Sequence, residues 1–165
     1  MLTQERVKEL FDYRDGELIW LCDNPPNYMK GKPAGWVTVS GYKETKIDGY
    51  CAKVHRLIFL YHHGYTPPEV DHIDGDKLNN KVENLRAATK SQNQRNRKIN
   101  TNNKSGVKGV SWSTSSKKWI VQLSDGNSQK VYGRFKDLSE AKACADKVRE
   151  QLHGEFCNHG DHSQT

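Results

Sequence analysis

A chain of 165 residues suits one or two small domains, and 9% aromatic side chains set it apart from a disordered tail of low hydrophobicity. A formal net charge of +6 favours a polyanionic partner, nucleic acid before an anionic membrane. No run approaches the ~18–20 apolar residues of a membrane span, and Met1-Leu2-Thr3-Gln4-Glu5-Arg6 lacks the apolar core of a signal peptide. No membrane partner and a cytoplasmic location are therefore expected.

Thr3 suits the cap of a short helix whose apolar residues are Val7, Leu10 and Phe11. Asp15-Gly16 signals a turn, and Glu17 to Leu21 has strand character. Cys22, Cys51, Cys144 and Cys157 include no Cys-x-x-Cys pair, so free thiols are expected. A composite zinc site with His153 or His159 is the lesser alternative. Asn24-Pro25-Pro26-Asn27 breaks regular structure. Three strand-like pieces follow, Gly35 to Val39, Tyr42 to Ile47 and Tyr50 to Val54, joined at Ser40-Gly41 and Asp48-Gly49. His55 to His63 reads as a helix that Gly64 ends and Pro67-Pro68 keeps from resuming.

Val70 to Ile73 is short and extended, Asp74 to Lys77 turns, and a short helix is expected over Val82 to Leu85. A second helix is expected from Thr89 or Ser91, carrying Asn93. Residues 94–105 are polar and Asn-rich. From Lys90 to Lys118 there are eight basic residues and no acidic one, which favours phosphate contact over a merely solvated tether. Strands are expected at Val107 to Trp112, Trp119 to Leu123 and Lys130 to Phe135. A helix capped by Ser139 follows, with an apolar stripe of Ala141, Cys144, Ala145, Val148 and Leu152, stopped by Gly154. Residues 159–165 read as disordered.

Hydrolysing a phosphodiester needs a base for water and a cation for the charge that develops on the phosphate. His72 suits the first task, because an imidazole titrates near neutral pH. Asp71 supplies a hard oxygen to a divalent ion, and so does the amide of Asn93. Adjacent residues on a strand point to opposite faces, so Asp71 and His72 serve one site only if the backbone twists or a following helix closes round. Asp74, Asp76 and Asn79 are first of all turn builders, with a direct metal role for Asp74 as the lesser reading. His55 reads as structural rather than catalytic. Arg56 and Arg86 are equally suited to phosphates and to nearby carboxylates.

The run His55-Arg56-Leu57, Asp71-His72-Ile73-Asp74-Gly75-Asp76, Asn79-Asn80, Asn84-Leu85-Arg86, Thr89 and Gln92-Asn93 resembles the HNH homing-type endonucleases of phages, over roughly residues 35–97. The resemblance implies an α+β chain with a ββα-metal core around one divalent cation, Mg2+ or Mn2+. It assigns Asp71 and Asn93 to the metal, His72 to the base, and Asn84 to holding the His72 loop. The family often has His where this chain has Asn93, a variant that weakens any case for zinc. The products implied carry 5′-phosphate and 3′-hydroxyl ends.

Ser105-Gly106-Val107-Lys108-Gly109-Val110-Ser111-Trp112, Lys118-Trp119, Gly133-Arg134-Phe135, Glu140-Ala141 and Leu152-His153-Gly154 resemble the plant Apetala/ethylene-response-factor domain, a three-stranded sheet on one helix that reads duplex DNA. Alternation puts Lys118, Ile120, Gln122 and Ser124 on the exposed face. Lys108, Ser111 and Ser113 would join them from the first strand, and Lys130 or Arg134 from the third. The plant pattern has more arginine on this face, which puts base-specific readout in doubt.

The expected layout is a nuclease domain at 1–97 with its core motif at 55–97, a basic linker at 98–105, the DNA-binding domain at 106–156 and a disordered tail at 157–165. The expected function is metal-dependent cleavage of duplex DNA in a bacterial or phage-infected cell, by a monomer or weak homodimer. DNA contact is expected from Arg86, Arg95, Arg97, Lys98, Lys108, Ser111, Lys118, Gln122, Lys130 and Arg134. The alternative is a DNA-binding regulator with an inactive nuclease core. An RNA-binding factor is weaker, because the sheet lacks the aromatic pair of an RNA-recognition motif.

Overall fold

A computed structural model of the chain describes residues 2–22, 29–95, 99, 102–125 and 128–157. The Asn24–Asn27 break, residues 98, 100 and 101 of the expected linker and the last eight residues lie outside that set. Chain contacts form two compact units, Met1–Lys90 and Ser91–Thr165.

In the first unit, Thr3 caps helix α1 (Gln4–Leu10) by accepting from the Arg6 N–H at 3.2 Å. The helix stops one residue short of its expected stripe. Phe11 instead opens strand β1 (Phe11–Arg14), which pairs with β2 (Glu17–Trp20) so that Phe11 faces Trp20. The turn between them, Asp15-Gly16, has positive φ at both positions, as does Asp48-Gly49 further on. That conformation matches the twist of a tight hairpin. Strands β3 (Trp36–Val37), β4 (Lys43–Ile47) and β5 (Tyr50–Lys53) form an antiparallel sheet in that order.

Helix α2 (Val54–His63) runs through the middle of this unit and buries Val54, His55, Leu57, Ile58, Phe59 and Leu60. Each fully buried aliphatic or Phe side chain contributes about 1.5–3 kcal/mol, so this helix anchors everything around it. Gly64 ends it in the left-handed conformation. Strand β6 (Glu69–His72) follows. Residues Val82–Asn84 make a single 3-10 turn, and Leu85, expected in a helix, begins strand β7 (Leu85–Ala88). β6 and β7 pair antiparallel with Asp71 opposite Arg86 and His72 opposite Leu85. Helix α3 (Lys90–Arg95) starts at the end of the unit.

The second unit holds an antiparallel sheet of β8 (Val110–Ser113), β9 (Lys118–Ser124) and β10 (Gln129–Phe135), with β9 central. Helix α4 (Leu138–His153) covers one face, and Val107, Val110, Val121, Leu123, Ala141 and Ala145 form the core between them. Asp137, not Ser139, caps this helix, accepting from the Ser139 and Glu140 N–H groups. The first strand begins three residues later than expected, because Ser105 and Asn103 bind the backbone of 105–110 in a tight local loop.

Gly35 marks a close backbone approach in the first unit. Its φ is +96°, and a Cβ there would lie 2.5 Å from the Glu44 carbonyl oxygen. Gly49, at φ +87°, has open space around it. Gly35→Ala should therefore cost about 3 kcal/mol or more, from strain and overpacking together, against about 1–2 kcal/mol for Gly49→Ala. Urea unfolding of the two variants checks the difference; equal losses would refute it.

Candidate active site

Asp71 and His72 end β6 and are both buried, at 4% and 5% exposure. Neighbours on a strand face opposite ways, so each meets its own partners. Asp71 Oδ2 accepts from Arg86 Nε at 2.9 Å and from Nη2 at 2.8 Å. The cross-strand guanidinium thus balances a carboxylate that would otherwise be buried alone. Arg86, open between phosphate and carboxylate on sequence grounds, pairs with a carboxylate here. Arg56 donates to the carbonyls of Pro67 and Pro68 at 3.0 and 3.2 Å and ties α2 to that loop.

On the other side, His72 Nε2 lies 3.0 Å from Asn80 Oδ1. With that carbonyl oxygen turned to the ring, Nε2 is the donor. The His55 ring stands edge-on to the His72 ring, centroids 4.8 Å apart, and Tyr42 lies 5.2 Å from His55 and 6.2 Å from His72. Asn80 and Tyr42 are the neighbours that sequence reasoning left without a role. Their signal was slight: a second Asn beside Asn79, and a Tyr opening the expected strand Tyr42 to Ile47.

The loop after His72 closes on Asn84. Asn84 Oδ1 accepts from the Asp74 N–H at 3.1 Å, and its Nδ2 donates to Asp74 Oδ1 at 2.9 Å and to the Asn79 carbonyl at 2.8 Å. Asn79 Nδ2 donates to Asp74 Oδ2 at 2.7 Å, and Asp74 Oδ1 also accepts from the Asp76 N–H at 2.8 Å. Burial pushes the Asp74 carboxyl up, but the bonds from Asp76, Asn79 and Asn84 outweigh it and hold the group below its usual range. Both oxygens of Asp74 are thus engaged in building the turn.

Asn93 lies half-buried on α3, beyond the division of the chain after Lys90. Arg95 closes that helix, and Arg97 and Lys98 are outside the described residues. In the second unit, Ser111 and Arg134 both pair with Ile120, and Ser113 pairs with Lys118, so these share the sheet face with Gln122. A bulge between Val131 and Gly133 breaks the alternation of β10. Lys130 therefore pairs with Leu123, on the helix side, and meets Asp125 at 2.6 Å. Lys108 precedes β8 rather than joining it. Burial first, then the charge of Arg149, draws its ammonium down from 10.5 to about 8, against the pull of Cys157. Among the described residues no group of three or more His, Cys, Asp or Glu is placed to hold a metal ion. No described helix is long and apolar enough to cross a membrane.

The HNH endonuclease family matches residues 52–95, the stretch from β5 to the end of α3. That stretch of the chain is an HNH endonuclease segment. Over 87 residues it is 39% identical to Protein 3.8 of Escherichia phage T7, covering 53% of this chain and 71% of that protein. It is also 47% identical over 87 residues to an uncharacterized HNH endonuclease of Acanthamoeba polyphaga mimivirus, covering 46% of this chain and 46%, under half, of the viral protein. No solved structure matches the chain significantly.

His55 makes the site sensitive to acid. Burial, then the charges of His72, Lys53 and Arg56, push its imidazole from 6.5 down to about 3. Above pH 6.5 the ring is neutral folded and unfolded, and its stabilising contribution is whole. As pH falls from 6.5 towards 3, the unfolded chain takes up a proton that the folded chain refuses. Stability then drops by up to about 1.4 kcal/mol per pH unit. Urea unfolding between about pH 7.5 and pH 4.5 should show a steeper loss for wild type than for His55→Phe; parallel curves would contradict it.

Proposed function

We propose that the chain is a metal-dependent endonuclease that hydrolyses phosphodiester bonds in duplex DNA. The observation that carries this reading is the buried Asp71–His72 pair at the end of β6, fixed by Arg86, Asn80 and Asn84 inside the segment that matches the family. In this reading His72 takes a proton from the attacking water. Because Nε2 donates to Asn80, the proton is received at Nδ1. Asn80 fixes the ring's tautomer and tilt, and Asn84 fixes the loop that follows, as supporting groups around a reacting residue do.

Asp71 and, by the family pattern, Asn93 supply the oxygens for a divalent cation. Those donors are hard, which suits Mg2+ or Mn2+ over a thiophilic ion. When bound, the cation would neutralise charge on the scissile phosphate and ease departure of the leaving oxygen. The expected products carry 5′-phosphate and 3′-hydroxyl ends. One such centre per chain cuts one strand at a time, so double-strand cleavage would take a weak dimer or a second binding event. A homing-type role fits the family resemblance.

The second unit is read as the duplex-binding module, similar to the Apetala/ethylene-response-factor domain. Its open sheet face offers Ser111, Lys118, Gln122 and Arg134. Gln122 is suited to adenine and Arg134 to guanine. In the free protein Gln122 Nε2 donates to Gln129 Oε1 at 3.0 Å, a bond that base reading would have to exchange.

Incubating supercoiled plasmid with the protein and Mg2+ or Mn2+ tests the chemistry. Wild type should nick or linearise it, and His72→Ala should be slower by about 10²–10⁴-fold. No metal-dependent cutting by wild type would sink the nuclease reading in favour of a DNA-binding regulator. Equal cutting by the variant would remove His72 from the reaction. Separately, Lys118→Ala/Arg134→Ala should shrink the salt dependence of duplex binding by about 2 in log–log slope, at roughly 0.9 per neutralised phosphate. Its cleavage rate at saturating DNA should stay near wild type. An unchanged slope would take that face out of DNA binding.

A further inference from the structure

Three separate pieces of the first unit converge on one ring. Tyr42 stands just before β4, in a turn closed by the Gly41 N–H to the Thr38 carbonyl at 2.8 Å and the Thr38 N–H to the Tyr42 carbonyl at 2.9 Å. Lys53 ends β5. Lys77 comes from the loop after β6. The Lys53 ammonium lies 4.4 Å from the Tyr42 ring centroid and the Lys77 ammonium 4.6 Å. Lys77 Nζ also donates to the Ser40 carbonyl at 2.8 Å. Its stem lies across Gly41, where a Cβ would meet Lys77 Cδ at 3.6 Å. The same ring is 6.2 Å from the ring of His72.

Two like charges gathered at one ring repel each other, and the ring's electron-rich face offsets only part of that cost. Neither lysine is ion-paired with a carboxylate among the described residues, whereas Lys43 meets Glu17 and Lys81 meets Asp15. Glu44 stands opposite Lys53 in the β4–β5 ladder and Asp76 precedes Lys77, yet neither carboxylate forms an ion pair with them, so both ammonium groups beside the candidate base are open to an anion. At the Tyr42 ring itself the two ammonium groups offer nothing to a cation or to an apolar ligand. A phosphate fits, because ammonium groups bind it as point charges.

We propose that Tyr42, Lys53 and Lys77 form a clamp for a backbone phosphate of the nucleic-acid substrate and so set the strand against His72. The clamp rests on the nuclease reading given above. Tyr42 orders the two ammonium groups, and the lysines hold the phosphate. They are positioning residues: removing them weakens substrate capture and leaves the proton transfer intact.

Duplex binding of the full chain, measured by fluorescence anisotropy without divalent metal between about 50 and 200 mM salt, tests the clamp. The log–log salt slope of Lys53→Gln/Lys77→Gln should be smaller than wild type by about 1–2, at roughly 0.9 for each phosphate no longer neutralised. In cleavage assays kcat/KM should fall at least about tenfold, corresponding to about 1.4 kcal/mol, and the loss should sit in KM. Lys53→Arg/Lys77→Arg should recover most of it. Lys77→Gln alone, on an exposed side chain, should give about half the slope change. Lys8→Gln/Lys32→Gln removes the same charge elsewhere in the unit and should leave the slope alone.

A Lys53→Gln/Lys77→Gln protein that folds, cuts DNA and keeps the wild-type slope and KM overturns the clamp. So does an equal change in the Lys8→Gln/Lys32→Gln control. A wild type whose slope depends on the two lysines, but which cuts no DNA in Mg2+ or Mn2+, overturns the nuclease reading and leaves the clamp standing as a nucleic-acid contact.

Discussion

Two neighbouring polar residues on one strand are both buried, and strand geometry sends them to opposite sides. Neither can share the other's partners, so Asp71 and His72 each require a separate environment. Arg86 provides one from directly across the ladder. Asn80, with the edge-on ring of His55, provides the other. Much of the first unit follows from those needs. β7 must pair with β6 in the register that brings Arg86 opposite Asp71. The loop between them must turn back to place Asn80 at His72. Asn84, at the foot of β7, must hold that loop at its first turn. A slip of one residue in the ladder would exchange the faces of every side chain on the strand.

How much of this the sequence carries depends on the range of the interaction. Helix α2 is plain from its apolar run and from Gly64. Both tight hairpins are plain from their Asp-Gly pairs. The Asp71–His72 pair and Asn84 stand out because the family pattern fixes their spacing. Three things depend on contacts far along the chain and leave little local trace. Phe11 continues the helical stripe of α1 but turns into a strand, because packing against Trp20, with centroids 4.3 Å apart, outweighs one more helical residue. Leu85 looks like the end of a short helix but is claimed by the ladder to β6. Tyr42, Lys53 and Lys77 lie far apart in sequence and meet only when three elements close.

The second unit shows how one residue redistributes a surface. Strict alternation gives Lys130 and Arg134 the same face. The bulge at Val131–Gly133 inserts a step, so Arg134 stays on the open face with Ser111 and Ile120, while Lys130 turns to the helix side and an acidic neighbour. The open face is left with Lys118 and Arg134 as its charges, among Ser and Gln side chains. Such a face has few points for long-range attraction and several adaptable hydrogen-bonding groups. In the first unit three basic residues, Lys53, Lys77 and Arg86, are grouped around the candidate centre.

The Arg86–Asp71 pair has a consequence for how the protein is made. Many small metal-binding domains stay unfolded until their ion arrives, because their ligands repel one another or are costly to bury without it. Here the strand opposite already carries the countercharge. The chain can therefore close this ladder with no ion at Asp71, because Arg86 already balances the buried carboxylate.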